Sequence, residues 1–419
     1  MEFTPARPRR ASRLLASVLA AVVASAAPTG VVAQDAAQPA ATTKKQADAV
    51  LIKIGYIRWD EPRVTLSLID MPYPDDGYSG ALLGIEDNNT TGKFTKQSFE
   101  LVTKGVETAE AALAALDELA AAGISYVLLD LPTDVLLAVA DAPAAKDRLL
   151  FNVSNKDERI REEDCRVNVV HIAPSYSMLA DGLAQYLVWK KWSRWFLISG
   201  SLPQDKLWAE ALKRAAGRFG AEIVEEREYT ATDTARRTDT GHVQVQRQLP
   251  VFTQDAAEHD VVITADESEI FATYVPFRTW DAKPVAGSSG LKPSAWDPSH
   301  EQWGAYQMQN RFFDLNRRGM RERDINAWTA VRIVGEAATR AKSGEPSKII
   351  EYINGPDLAI AAFKGQKLTI RNWNHQLRQP ILLVDGRSTA SVSPQEGFLH
   401  EKTELDTLGY DEPETKCSF

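Results

Sequence analysis

The sequence predicts an α/β protein of two lobes, each a mainly parallel sheet covered by helices. Three observations carry that expectation. Apolar runs of strand length alternate with stretches of helical period through most of the chain. The runs at 124–129, 195–198 and 260–264 are near-continuously apolar, the pattern of strands buried on both faces. The alternation also falls into two sets, and the late elements complete neither set alone, so the chain has to cross between lobes more than once.

The first βα unit is a strand at 51–57, a long acidic and aromatic loop at 58–77, and a helix from residue 78 that ends at Gly92. In an open α/β sheet the loop after a strand faces the crevice where ligands bind, so this loop is the first candidate wall of a site. A strand follows at 98–102. Val106, Ala109, Leu113, Leu116 and Ala120 then recur at helical spacing, and Gly123 stops that helix. After the strand at 124–129 come a short helix at 132–140 and a strand at 149–153.

The second set opens with an extended stretch at 167–172. Ser175 is a cap for a helix with Leu179, Leu183, Tyr186 and Leu187 on one face. A strand at 195–198 precedes a helix marked by Leu207, Ala211, Ala215 and Phe219 and closed by Gly220. Strands follow at 222–228, 260–264 and 283–286. Residues 230–248 are polar with neither period and read as a long loop. In the last third, helices are expected at 303–315 and 323–341, and strands at 368–370 and 380–384 around a turn at 372–376. The tail after Ser391 is polar.

Arg7, Arg9, Arg10 and Arg13, the apolar stretch 14–27 and the small residues Val31-Val32-Ala33 read as a cleavable secretory signal peptide over 1–33, with a flexible leader over 34–49. Beyond residue 35 no stretch reaches the ~18 apolar residues of a membrane span. Losing 1–33, with four Arg and one Glu, takes the formal charge from −9 to about −12. An acidic secreted chain is a poor nucleic-acid binder. The two cysteines, Cys165 and Cys417, lie too far apart for a zinc or redox motif. In an oxidising compartment they can pair and tie the tail to the body, if the fold brings them close enough.

The catalytic inventory is thin. There is no GxSxG elbow, phosphate loop or dinucleotide fingerprint, and the six histidines are scattered. The chain is therefore expected to be no enzyme and to carry no cofactor. What remains is polar and aromatic groups at successive strand ends: Arg58, Trp59 and Asp60; Asp130 and Thr133; Ser154 and Asn155 with Lys156; Ser199 and Ser201; Asp266 and Glu267, with Ser175 and Tyr176 at the start of the second lobe's first helix. Such groups beside helix N-termini can hold a carboxylate or another anion. Taken alone, each reads first as helix capping; their recurrence favours a small-molecule ligand. Trp59 and Trp280 are expected beside crevice loops. Asp75 and Asp76 are candidate ligands for a hard cation such as a lanthanide, although their spacing is not that of an EF-hand.

The order of several weak motifs resembles the type I periplasmic binding proteins of ABC transporters, in the branched-chain amino acid branch. They are Ile52-Lys53-Ile54-Gly55, the helix 80–89 with Gly92, Val153-Ser154-Asn155, Ile172-Ala173-Pro174-Ser175, the helical stretch 328–337, and Phe363-Lys364-Gly365 running to Pro380-Ile381. Tyr56-Ile57-Arg58, Pro72-Tyr73-Pro74 and Trp189-Lys190-Lys191-Trp192 are similar to a divergent subgroup associated with PQQ-dependent alcohol dehydrogenase systems.

The resemblance implies a periplasmic-binding-protein-like I fold with three crossovers. Lobe 1 is then 50–172 with 290–378, and lobe 2 is 173–289 with 379–419. It implies a periplasmic substrate-binding component of an ABC importer, with ABC transporter membrane subunits as partners and a small molecule or metal complex as ligand, linked to PQQ- or lanthanide-dependent alcohol oxidation. The alternative is a periplasmic accessory or enzyme acting with such a dehydrogenase. One departure stands out: Asp130-Leu131-Pro132-Thr133 replaces the small-residue and serine pattern of amino-acid binders.

Overall fold

The computed structural model describes residues 49–60, 72–230 and 241–419. The expected signal peptide, the leader up to residue 48 and positions 61–71 of the first loop lie outside the described residues. In chain order the first set of elements is β1 (Val50–Trp59), α1 (Tyr78–Thr95), β2 (Gln97–Val106), α2 (Ala109–Ala121), β3 (Tyr126–Asp130), α3 (Thr133–Asp141), β4 (Leu149–Asn152) and β5 (Val169–His171). The second is α4 (Tyr176–Trp189), β6 (Arg194–Gly200), α5 (Pro203–Phe219), β7 (Glu222–Tyr229), α6 (Gly241–Phe252), β8 (Val261–Ala265), α7 (Val275–Arg278) and β9 (Val285–Gly287). There follow β10 (Lys292–Ser294), α8 (Ala305–Asn316), α9 (Glu322–Ala341), α10 (Pro346–Ile353), β11 (Ile360–Ala361), β12 (Lys367–Ile370), β13 (Leu377–Arg378), β14 (Ile381–Val384) and β15 (Thr389–Ser393).

Two parallel sheets result, in the orders β2-β1-β3-β4-β5 and β7-β6-β8-β9. β3 and β8 are buried at every residue, which is why their sequences carry no polar face. In β1 the two-residue period sorts side chains by face. Ile52, Ile54 and Tyr56 meet α1 and α9, whereas Ile57 meets α2 and α3. Each such buried side chain contributes roughly 1.5–3 kcal/mol. The second sheet is likewise covered on both faces, by α4 and α5 on one side and by α6 and the 270–275 segment on the other.

The late helices complete the first lobe. Phe312 of α8, Trp328 and Val331 of α9 and Ile349 of α10 join the core beneath β1. The α1–α9 approach needs glycine at position 80, where a Cβ would come within 1.9 Å of the Asp324 carbonyl oxygen. β14 stands between the lobes. Its Leu382 and Val384 enter the first lobe's core, while Ile381 and Leu383 enter the second's. It pairs antiparallel with β10 and β15. The chain therefore leaves the first sheet after β5, leaves the second after β9, and passes between the cores again at β14.

Three local expectations are corrected. Residues 241–252 are helix, not loop: Val245 and Leu249, one helical turn apart, are buried, and polar residues between them hide the period. β1 runs on through Arg58 and Trp59, which pair in register with Gly105 and Val106. Trp280 lies away from the strand ends that form the crevice. Its backbone N–H donates to Thr253 Oγ1, just past the C-terminus of α6, the end that feeds into the start of β8.

Candidate functional site

Strand order reverses about β1 and about β6, so the C-terminal ends of β1, β3 and β4 on one side and β6 and β8 on the other are the places where an open sheet forms a crevice. The turn after β4 is the most tightly built of these. Asn152 Oδ1 accepts the backbone N–H groups of Ser154 (3.3 Å) and Asn155 (2.9 Å), and its Nδ2 donates to the Asn155 carbonyl (2.8 Å). Asn155 Nδ2 donates to Thr133 Oγ1 (3.1 Å), and the Thr133 hydroxyl donates to Asp157 (2.9 Å). Buried Arg161 clamps the turn from below, donating to the carbonyls of Asn155, Asp157 and Ala173 and to Gln376 Oε1.

This turn presents Lys156 toward the second lobe. The Lys156 carbonyl accepts the N–H of Tyr176 at the start of α4 (3.0 Å). Its Nζ lies 3.4 Å from Glu267 Oε2, in the loop after β8, and 4.0 Å from Glu322 Oε1, in the first turn of α9. The Tyr176 hydroxyl donates to the same Glu267 oxygen (3.4 Å). Ser294 braces Glu322 from β10, donating at 3.0 Å. Burial alone would lower the Lys156 pKa, but Glu267 and Glu322 outweigh it and hold the ammonium protonated above the ordinary lysine range. Burial, then Glu267, pushes the Tyr176 phenol well up, so it is a donor at neutral pH. About a quarter of each of the Lys156, Glu267 and Glu322 side chains remains accessible. The cluster is thus one ammonium between two carboxylates and a phenol, at long contact distances and open to exchange of partners. Beside it, Arg323 of α9 donates to buried Asp130 at the end of β3 (3.0 Å).

Asp130, Thr133 and Asn155 are therefore brought together at the ends of β3 and β4, and Lys156 joins their turn to Tyr176 and Glu267 of the second set. Ser154 is held in the same turn. The other candidates are placed differently. Arg58 donates to the Pro74 carbonyl (2.6 Å), Trp59 is half-buried against the core on the α2 side, and Asp60 is exposed. Ser175 caps α4, accepting from Met178 N–H (3.3 Å). Ser199 is buried within β6, and Ser201 precedes α5. Asp266 is buried and its carboxylate accepts three backbone N–H groups, those of Ile270, Phe271 and Ala272, so it is an internal cap. Burial pushes its carboxyl up to about 6.

Asp75, one of the two candidate cation ligands, already has partners of its own. Asp75 is bound by Arg318 (3.1 Å) and by the Ser79 hydroxyl (2.5 Å), which overcome burial and hold its carboxyl below the usual value. Asp76 sits in the turn that leads into α1. Among the described residues no group of three or more His, Cys, Asp or Glu is arranged around a cation position. Cys165 and Cys417 are joined as a disulfide, with a Cα–Cα distance of 5.6 Å.

Sequence reasoning named Lys156 only as part of the strand-end turn with Ser154 and Asn155, and gave it no role of its own. It passed over Glu322 and Arg323, which carry no signal beyond standing at the start of a helix.

Residues 75–239 match the family of periplasmic binding proteins. Several solved structures share the fold across nearly the whole chain. A branched-chain amino acid ABC transporter periplasmic ligand-binding protein from Burkholderia xenovorans is 14% identical, with 88% of this chain and 99% of that one covered and a TM-score of 0.67. A leucine-, isoleucine-, valine-, threonine- and alanine-binding protein from Brucella ovis, in a closed conformation, is 14% identical over 85% and 93%, with a TM-score of 0.63. A solute-binding protein of an ABC transporter from R. palustris, in complex with benzoate, is 11% identical over 88% and 100%, with a TM-score of 0.62. No curated protein matches the sequence. At these identities the structural likeness establishes the fold, that of the type I periplasmic binding proteins.

Proposed function

We propose that this protein is the periplasmic substrate-binding component of an ABC importer, taking a small carboxylate-bearing ligand between its two lobes and delivering it to the transporter's membrane subunits. The observation that carries the reading is the Lys156 group. A cation fixed by one lobe's strand-end turn reaches a carboxylate and a phenol supplied by the other. A ligand carboxylate can replace Glu267 or Glu322 on Lys156, and the released carboxylate can then accept a ligand's ammonium or hydroxyl. Contacts to both lobes would favour the closed form, a population shift that a membrane partner can read. Neighbours of this fold are described as binding leucine, isoleucine, valine, threonine and alanine, or as complexes with benzoate or 3,4-dihydroxybenzoic acid, all of which carry a carboxylate.

The link to alcohol oxidation rests on the subgroup resemblance, and PQQ, a planar polycarboxylate, suits the same cation. A lanthanide held directly by the first loop is disfavoured, because Asp75 is already engaged by Arg318. The periplasmic location rests on the family likeness and on the secretory pattern of 1–33; among the described residues no helix is long and apolar enough to cross a membrane.

Calorimetric titration of the protein lacking 1–33 with leucine, valine, benzoate, 3,4-dihydroxybenzoate and PQQ tests the reading. Saturable binding of one of these without turnover supports it. Chemical turnover of any of them would favour the enzyme alternative instead.

A further inference from the structure

The last sixteen residues hold both lobes at once. Leu405 and Leu408 are buried in the core under α4 and α5. The Gly409 N–H donates to Asp181 of α4 (2.8 Å), its carbonyl accepts from Arg218 of α5 (2.6 Å), and the Tyr410 ring lies 4.0 Å beneath the Arg214 guanidinium. Asp406 is buried against Arg371 (2.9 Å) and Arg378 (2.8 Å), which flank the turn before β14. The tail then reaches the β4–β5 connection of the first lobe. Glu162 accepts from the Thr415 hydroxyl (3.0 Å) and from Lys416 N–H (2.7 Å), and Cys417 is bonded to Cys165. That connection is itself fastened to α3, through Arg166 to Asp141 and Asn168 to the Ala140 carbonyl.

Consecutive residues face opposite lobes. Glu414 lies 3.4 Å from Arg214 of α5, and Thr415 bonds Glu162. Little slack separates them, so the lobes cannot part along this edge without breaking one set of contacts.

We propose that the tail 404–419 is a fourth tie between the lobes, made covalent by Cys165–Cys417, and that it limits how far the cleft opens in the unliganded protein. The proposal rests on the reading of the molecule as two lobes that open and close. Its physical basis is that a cross-link removes open conformations from the ensemble, as it does for unfolded chains. Cutting it leaves only non-covalent contacts to oppose opening.

The test compares unliganded oxidised protein, the same protein reduced by dithiothreitol, and Cys417→Ser. Reduction moves two electrons and two protons to the cystine sulfurs, and the dithiol closes on itself. Small-angle scattering reads the radius of gyration, and amide exchange reads 176–178 and 266–269, on the second lobe's side of the cleft. Reduced wild type keeps the test free of any folding defect in the variant. A larger radius and several-fold faster exchange in both cut forms support the tie. If Lys156→Ala opens the molecule while the cut forms match the oxidised protein, the lobes move and the tie is refuted. If none of the four proteins differs, oxidised, reduced, Cys417→Ser or Lys156→Ala, the lobes do not open, and the reading of lobes that open and close falls.

Discussion

Two charged clusters flank α9, and they differ in kind. Around Asp324, Arg318 donates to both carboxylate oxygens (2.6 and 3.0 Å) and also binds Asp75, while Gly77 and Arg321 donate their backbone N–H groups to the same carboxylate. Asp324 is fully buried and Arg318 nearly so. Two residues away, Glu322 belongs to the Lys156 group, where the ammonium lies 3.4–4.0 Å from its carboxylates and the three charged side chains keep about a quarter of their access to water. The first cluster lies within one lobe and locks the α1 entrance against α9. The second joins two lobes with fewer and looser bonds. Saturation separates architecture from a site: a ligand can compete only where the protein's own bonds leave room.

The largest effect should come from the locked cluster. Arg318→Ala strands buried Asp324 and is expected to cost about 3–5 kcal/mol in denaturant unfolding. A loss under about 1 kcal/mol would mean that the cluster is no more fixed than the Lys156 group.

Lys364 sharpens the contrast, being buried but poorly satisfied. Its Nζ donates to Gln379 Oε1 (2.6 Å), and Gln379 in turn donates to the Ile172 carbonyl at the first crossover (2.7 Å). Burial pushes its pKa down to about 7, against a weaker opposing pull from Glu322. An unfolded lysine titrates near 10.5, so the unfolded chain holds more protons between about pH 7 and 10.5, and stability rises with pH across that window. Lys364→Met should therefore be more stable than wild type near pH 7, by roughly 1–4 kcal/mol. The gap should shrink toward pH 10. A gap independent of pH would show that Lys364 is charged in both states throughout.

Binding comes next in size. Lys156→Ala should weaken the ligand found by titration about 10–100-fold, or roughly 1.4–2.8 kcal/mol. Its unfolding free energy should change by less than about 1 kcal/mol, since the pair is partly exposed. The smallest effect is expected at Lys104–Glu118 on the outer face, about one- and two-thirds exposed. Lys104→Ala should leave both stability and binding within about 1 kcal/mol of wild type.

Much of the architecture was legible because it is written locally. The apolar runs of β3 and β8 have no polar face to give, and Gly123 and Gly220 end their helices in the left-handed region. Tyr176 and Glu267 were legible as candidates because each stands at an element's end. The Arg318–Asp75 pair joins positions 243 apart in sequence, and no local pattern announces it, so Asp75 read as a free carboxylate. Helix α6 was hidden because only one turn of it carries the buried apolar pair. The tail read as polar because two leucines, Leu405 and Leu408, do its anchoring.

If Lys156 and the groups around it hold a ligand between the lobes, removing them must weaken binding without unfolding the protein. Calorimetric titration of wild type, Lys156→Ala and Tyr176→Phe with the same carboxylate panel tests it most directly. Wild type should bind at least one carboxylate saturably, with binding sharply weakened in Lys156→Ala and moderately in Tyr176→Phe, and all three proteins equally folded. Binding of equal strength in all three, or no binding of any carboxylate by wild type, would contradict it.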